Sequence, residues 1–424
     1  MLTIYSPQTG PRLQYVCRLV FETILQQPYI LTNQLSEAGS GTINYSSQSI
    51  EGAFRIEPSG LLEQTGIGNH ELYPGELDGI KTLFHHGKGD LKFDIFSAVF
   101  YLCSRYEEYL PHEPDEHGRY RAEDSVAYRY GFLQEPVVEL WVKHLAECLK
   151  VPFPLENFQF QLTVDVDQAW KYAHRGFLIT SGALLRDFFT GRWNEITNRI
   201  KVCAGFSTDP WDSYSWFASL EQKLSKPIRY FFLMHGEKPF DPKVCRKGKA
   251  FRKLVSGIND HNKAGLHPSY VSHKNYRLLS KEYYNLSFLM HNKPRHSRQH
   301  FLKFKLPASY EHLIKLGILE EHSMGYASQP GFRAGISRPF YWYNLPAEKE
   351  SHLLVVPFVA MDRTLKDYLG LSPDEAFESL LSLSGKIKSI GGQFTLLWHN
   401  DSASGEGEWE GWKEVLEGII GQAA

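Results

Sequence analysis

The run Phe158-Gln159-Phe160-Gln161-Leu162-Thr163-Val164-Asp165-Val166-Asp167 is apolar for most of its length and closes on two carboxylates. Its length and β-branched content predict a buried strand. Alternate strand residues share a face, so Asp165 and Asp167 belong on the same side. An unpaired buried charge is costly, so both carboxylates need partners. Helix capping or an ion pair with Lys171 or Arg175 would supply them. A bound cation on one carboxylate, with the other acting as a base, would do so equally well.

Further apolar runs follow at Ile228–Met234, Ala264–His267, Leu353–Val359 and Gln393–Trp398, separated by amphipathic helices at Trp216–Leu224, Phe251–Ile258, Tyr310–Leu316 and Pro373–Ile387. The last helix opens on Ser372-Pro373-Asp374-Glu375, a capping box with proline at the first helical position. This alternation predicts an α/β fold, with a parallel sheet or (β/α) barrel. A polar residue follows each run: Asp165 and Asp167, then His235, His267, Asp362 and His399. Parallel sheets bind ligands where the C-terminal ends of their strands converge, so these residues form one candidate site.

Residues 1–150 read as a smaller α/β or α+β unit ahead of a unit spanning 151–424. It holds a strand at Leu2–Tyr5 and helices at Arg12–Gln26, Asp94–Leu110 and Glu135–Leu149. A hydrophobic content of 42% and a charged content of 22% fit a globular protein, and the 424 residues suffice for two cores. The formal net charge of −2 gives no reason to expect a nucleic-acid partner. Cys17, Cys103, Cys148, Cys203 and Cys245 are odd in number and widely spaced, which argues against a disulfide framework and fits a cytoplasmic location. No run is apolar enough to span a membrane, and the first residues do not read as a secretory signal.

Four further segments carry chemistry. His267, within Gly265-Leu266-His267-Pro268, stands at a strand end and suits a divalent metal. His296-Ser297-Arg298-Gln299-His300 reads either as a solvated cationic loop or as an orienting arginine beside a metal ligand. Leu397-Trp398-His399 ends a strand in an imidazole able to act as a general acid or to be satisfied by a backbone carbonyl. In Pro330-Gly331-Phe332-Arg333-Ala334-Gly335 the glycines allow close backbone approach and can present Arg333.

In this order, the segments over residues 158–405 resemble the polysaccharide deacetylase (NodB-homology) family of carbohydrate esterases. The resemblance implies a distorted (β/α) barrel with Asp165 as base, Asp167 as metal ligand, Arg298 orienting the base and His399 as general acid. His267 matches the first histidine of the second motif. The second histidine is missing, because position 271 is Val. His300 is the first choice to replace it and His273 the second, and a metal-free site is the third option. Trp398 is expected beside substrate, and Arg333 and Asp362 either contact substrate or support the site. The implied activity is removal of an acetyl group from an N-acetylated sugar, with zinc or another divalent metal as cofactor. An envelope polysaccharide would then be met before export. Hydrolysis of another non-peptide C–N bond, or a degenerate carbohydrate-binding role, are the alternatives.

Overall fold

The computed structural model describes residues 1–37, 41–237, 239–242, 248–259 and 263–423. Cys245 lies outside the described residues. The first sheet is wholly parallel, built from β1 (Leu2–Tyr5), β2 (Tyr29–Thr32), β3 (Thr42–Tyr45) and β4 (Phe54–Ile56) in the order β2-β1-β3-β4. An antiparallel hairpin, β5 (Gly75–Leu77) and β6 (Ile80–Thr82), stands apart from it. The helix expected over Arg12–Gln26 is α-helical only over Pro11–Cys17, then continues over Arg18–Ile24 with the wider π-type turn. The helix expected over Asp94–Leu110 is capped by the Asp94 side chain, which accepts from Ser97 N, and stops at Cys103. Arg105 has φ +56°, a left-handed conformation that breaks the helix before the short turn Tyr106–Tyr109.

The second sheet comprises β7 (Gln159–Val166), β8 (Arg229–Leu233), β9 (Ala264–His267), β10 (His296–Ser297), β11 (Glu320–Glu321), β12 (Phe340–Asn344), β13 (Lys349–Val355), β14 (Ala360–Met361) and β15 (Gln393–His399). Its order is β12-β13-β11-β10-β9-β8-β7-β15-β14, parallel throughout except for β12, which pairs antiparallel with β13. Eight strands from β13 round to β14 would span about 34 Å if laid flat at about 4.8 Å spacing. Yet Val355 and Ala360 are so close in the chain that the segment joining them reaches at most about 18 Å. The sheet must therefore curl back on itself.

The expected barrel is nevertheless not closed among the described residues, because β13 and β14 do not pair. Loop residues occupy that gap: Phe358 N donates to Met324 O at 3.1 Å and Gly331 N to Val359 O at 2.8 Å. The strand expected over Leu353–Val359 likewise begins earlier, in the hairpin with β12, and ends at Val355. The capping box at Ser372 and Glu375 is present and starts a helix over Pro373–Lys388.

One apolar core runs from Ile4 to Ile420, with no break between the N-terminal unit and the rest of the chain. Tyr15 and Phe100 pack on Tyr343 of β12 with ring centroids 5.1 and 5.0 Å apart. Buried Arg12 reaches Glu348 at 2.9 Å. Gly331, at φ +141°, lets its loop approach the N-terminal unit, since a Cβ there would sit 2.5 Å from Leu133 O. Gly331→Ala is expected to lower stability by about 1–3 kcal/mol, both from the strained backbone and from this contact. Urea unfolding of the two proteins measures it, and an unchanged midpoint would show that the joint does not need close approach.

Candidate metal and acid–base site

Period-two geometry puts Thr163, Asp165 and Asp167 on the inner face of the curled sheet. Arg298, just past β10, crosses to them. Its guanidinium donates to Asp165 Oδ1 at 2.9 Å, to Thr163 Oγ1 at 2.8 Å and to His322 O at 2.9 Å. The guanidinium also lies over the Phe231 ring, 4.6 Å from its centroid. Arg298 and Asp165 are both buried, so each is the other's principal counter-charge.

Asp167 sits between two imidazoles. His267 Nε2 lies 3.3 Å from Asp167 Oδ1 and His300 Nε2 lies 3.4 Å from Asp167 Oδ2. The other nitrogen of each ring is already engaged. His267 Nδ1 contacts Arg298 O at 2.6 Å, and His300 Nδ1 contacts Asp241 Oδ1 at 2.6 Å. Both Nε2 atoms therefore face the carboxylate. Among the described residues, Asp167 Oδ1 and His267 Nε2 are buried without a hydrogen-bond partner. Buried polar atoms are seldom left so, and these share one point. Ligand bonds of about 2.0–2.1 Å around a tetrahedral zinc place neighbouring ligand atoms about 3.3–3.4 Å apart. The three ligand atoms lie within 4.8 Å of one another, and their donor types suit a divalent cation. Without one, burial opposes ionisation of Asp167, but the facing His300 and His267 hold its carboxyl well below the usual range. Burial lowers His300, yet Asp167 and Asp241 outweigh it and hold the ring up to about 10.

His399 ends β15 in register with Asp165 on β7. Its Nδ1 contacts Asp362 Oδ1 at 2.8 Å, and its backbone N–H donates to Asp362 Oδ2 at 2.7 Å. Burial again lowers the ring, but Asp362 raises it to about 9. Asp165, Asp167, His267, His300 and His399 all line one cavity of about 330 Å³. Its walls include Phe240, Phe301, Leu302, Met361 and Leu397. Phe301 and Leu302 have φ of +59° and +53°, a strained pair directly after His300.

The structure brings together six residues singled out in the sequence: Asp165, Asp167, His267, Arg298, His300 and His399. It does not bring His273, which is buried with Nδ1 2.9 Å from Tyr270 O and lies outside the metal-ligating group. Arg333, Asp362 and Trp398 do not line this cavity, but Asp362 takes the supporting place that is its alternative. Asp362 is fully buried and bound to His399, so it positions the imidazole. Trp398 is one residue out of phase with His399; it points into the core, 6.2 Å from the Trp412 ring. Arg333 is buried, with Nε and Nη2 each 2.8 Å from Glu108, and borders the neighbouring groove.

Sequence reading missed Asp241 and Arg119. Asp241 is buried and also accepts from Tyr270 N at 3.0 Å. Arg119 lines the cavity and donates to Phe301 O at 3.0 Å. Both come from loops, and only the fold makes them neighbours of His300 and Phe301.

Residues 2–154 match a family described as of unknown function, DUF7033. A comparison with curated proteins returns no match. Among solved structures, the chain is similar to a protein assigned as a polysaccharide deacetylase from Mycobacterium smegmatis, at 14% identity and a TM-score of 0.41, over 64% of this chain and 86% of that one. The Puue allantoinase gives 9% identity and 0.41, over 64% and 85%. A CE4 family pseudoenzyme from Bacillus anthracis gives 12% and 0.30, over 62% and 61%. Scores this low carry neither a fold nor an activity to the chain.

Outer partners that orient a metal-binding imidazole are typically worth about 10–100-fold in metal affinity. Asp241→Asn is expected to weaken zinc binding by about that factor, read by competition with a chromophoric chelator. Unchanged affinity would mean that His300 is not a ligand or is oriented by something else.

Proposed function

We propose that this chain is a metal-dependent hydrolase that removes the acetyl group from an N-acetylated sugar of a poly- or oligosaccharide. One observation carries the reading. A two-imidazole, one-carboxylate cluster with orphaned ligand atoms shares a cavity with an arginine-held carboxylate and a carboxylate-held imidazole. The aromatic rings in the cavity wall suit the flat apolar faces of a sugar.

Asp167, His267 and His300 would hold the divalent cation, which when bound supplies Lewis acidity toward an amide carbonyl and lowers the pKa of water. Arg298 holds Asp165 Oδ1 at 2.9 Å and sets the carboxylate on the cavity wall, placing it to accept a proton from the attacking water. His399 carries its proton at neutral pH because Asp362 holds it, and it is placed to donate from Nε2 to the departing amine. The Nδ1 contact to Asp362 fixes which nitrogen does so. One group faces a guanidinium and the other a carboxylate, the pairing that a base and an acid sharing one cavity require.

Asp165→Asn is expected to lower turnover by at least about 10²-fold while zinc stays bound. Acetate release from an N-acetylglucosamine oligomer and metal content of the same sample measure both. Normal acetate release would overturn the assignment of the base, and ammonia release from a ureide in its place would move the substrate class. His399 must be protonated to act, so kcat/KM should fall as pH rises through about 9. Asp362→Asn removes the anion that raises it and should shift that limb toward the ordinary histidine value of about 6.5. An unmoved limb would assign the proton to another group.

A further inference from the structure

A second cluster lies deeper in the curled sheet. His296 on β10 and Glu320 on β11 are register partners, and His322 stands two positions after Glu320 on the same face. His296 Nδ1 is 2.9 Å and His322 Nε2 is 3.4 Å from Glu320 Oε2. His322 is 2% exposed, and among the described residues neither of its ring nitrogens has a hydrogen-bond partner. Glu320 remains partly open to solvent, which provides access. All three ligand atoms lie within 4.8 Å of one another.

We propose that His296, Glu320 and His322 form a second divalent transition-metal site, separate from the cavity. A metal bond would satisfy His322 Nε2, the buried nitrogen that faces Glu320. Two imidazoles and a carboxylate are a donor set for zinc and its neighbours. The site clasps β10 and β11, which are very short and have few backbone hydrogen bonds of their own. Arg298 stands two positions after His296 and donates to His322 O, so the clasp also steadies the arginine that holds Asp165.

The test separates this site from the one in the cavity. Full-length His267→Ala/His300→Ala protein, stripped with chelator, is titrated with zinc while stoichiometry and Tm are followed. One equivalent should bind with a rise in Tm, and adding Glu320→Gln or His322→Gln should abolish both. A natively folded His267→Ala/His300→Ala protein that binds no zinc overturns the proposal. Should wild type bind a single zinc that is lost with Glu320→Gln but kept in the His267→Ala/His300→Ala protein, the second site stands and the hydrolase reading falls.

A different observation carries a second inference. The helices Phe177–Phe189 and Trp193–Cys203 pack on each other, with Asp187 buried and bridged to Arg199 at 2.8 Å. Their apolar stripes face outward. Leu178, Leu185 and Phe189, at i, i+7 and i+11, are 85%, 60% and 81% exposed, and Trp193 and Ile200 on the second helix are 60% and 53% exposed. Phe177 and Phe206 extend the patch. Large apolar side chains left exposed together on one helical hairpin mark a contact surface. Of the charged side chains from Arg175 to Phe206, Arg186, Arg192 and Lys201 are exposed, Arg175 and Glu195 are half-buried, and Asp187 and Arg199 are buried against each other.

We infer that this hairpin lies on an anionic lipid surface, with its aromatic stripe in the headgroup boundary and its cations against lipid phosphates. Flotation of the full chain with phosphatidylcholine vesicles, with and without phosphatidylglycerol, tests it. Binding should require the anionic lipid, weaken in high salt, and vanish in Leu185→Asp/Phe189→Asp. Both positions are exposed, so circular dichroism of that variant should be native. No flotation, or a solution dimer that dissociates in the same variant, would overturn the inference.

Discussion

The ion pair between Arg298 and Asp165 is the interaction on which the interior of the sheet depends. Both partners are buried, so each would carry a large desolvation cost alone, and removing one side of such a pair typically costs about 3–5 kcal/mol. Arg298 is also tied to Thr163 on β7 and to the carbonyl of His322 beyond β11. One side chain thus spans the inside of the curl from β10 to β7. Its backbone carbonyl contacts His267 Nδ1, which fixes which nitrogen of that ring faces Asp167. The arginine that stabilises one carboxylate therefore also orients the imidazole that faces the other.

Much of this was legible because two periodicities are strong. The run ending in Asp165 and Asp167 is long enough for its alternation to be unambiguous, and β9 and β15 close on His267 and His399 for the same reason. The same rule corrects Trp398: a residue adjacent to an inward-facing histidine must face outward, into the helical layer. β10 and β11 were not legible as strands, since a pair of residues carries no period, and the second histidine–glutamate cluster was hidden with them. The glycines around Arg333 were read rightly as places of close approach. Their neighbours are Leu133 and Leu102 rather than a ligand, a pairing between distant parts of the chain that no local pattern encodes.

Asp241 and Arg119 show a third kind of limit. Each is an ordinary polar residue in a loop, and each acquires its role from the strand end that the fold sets beside it. Asp241 gains it from His300, and Arg119 from the strained Phe301 and Leu302. Chemistry at a strand end announces itself through an apolar run. Chemistry that supports it from a loop has no such frame.

The N-terminal unit is bound into this arrangement. Arg119 holds the Phe301 carbonyl, and its pairing with Asp115 at 2.7 Å keeps the guanidinium from swinging away. His117 packs edge-on against Phe301 and Phe240, 4.9 and 5.6 Å away. The curled sheet supplies the floor of the cavity, where charge is exchanged between fixed groups. One wall is shaped by a loop from the other sheet's side of the molecule. Floor and wall answer to different constraints. The floor holds two carboxylates and three imidazoles in fixed orientations, which requires buried partners. The wall needs only shape and apolar area. The loop that carries Asp115, His117 and Arg119 can therefore vary, and with it the shape of the wall, without touching the Arg298–Asp165 pair.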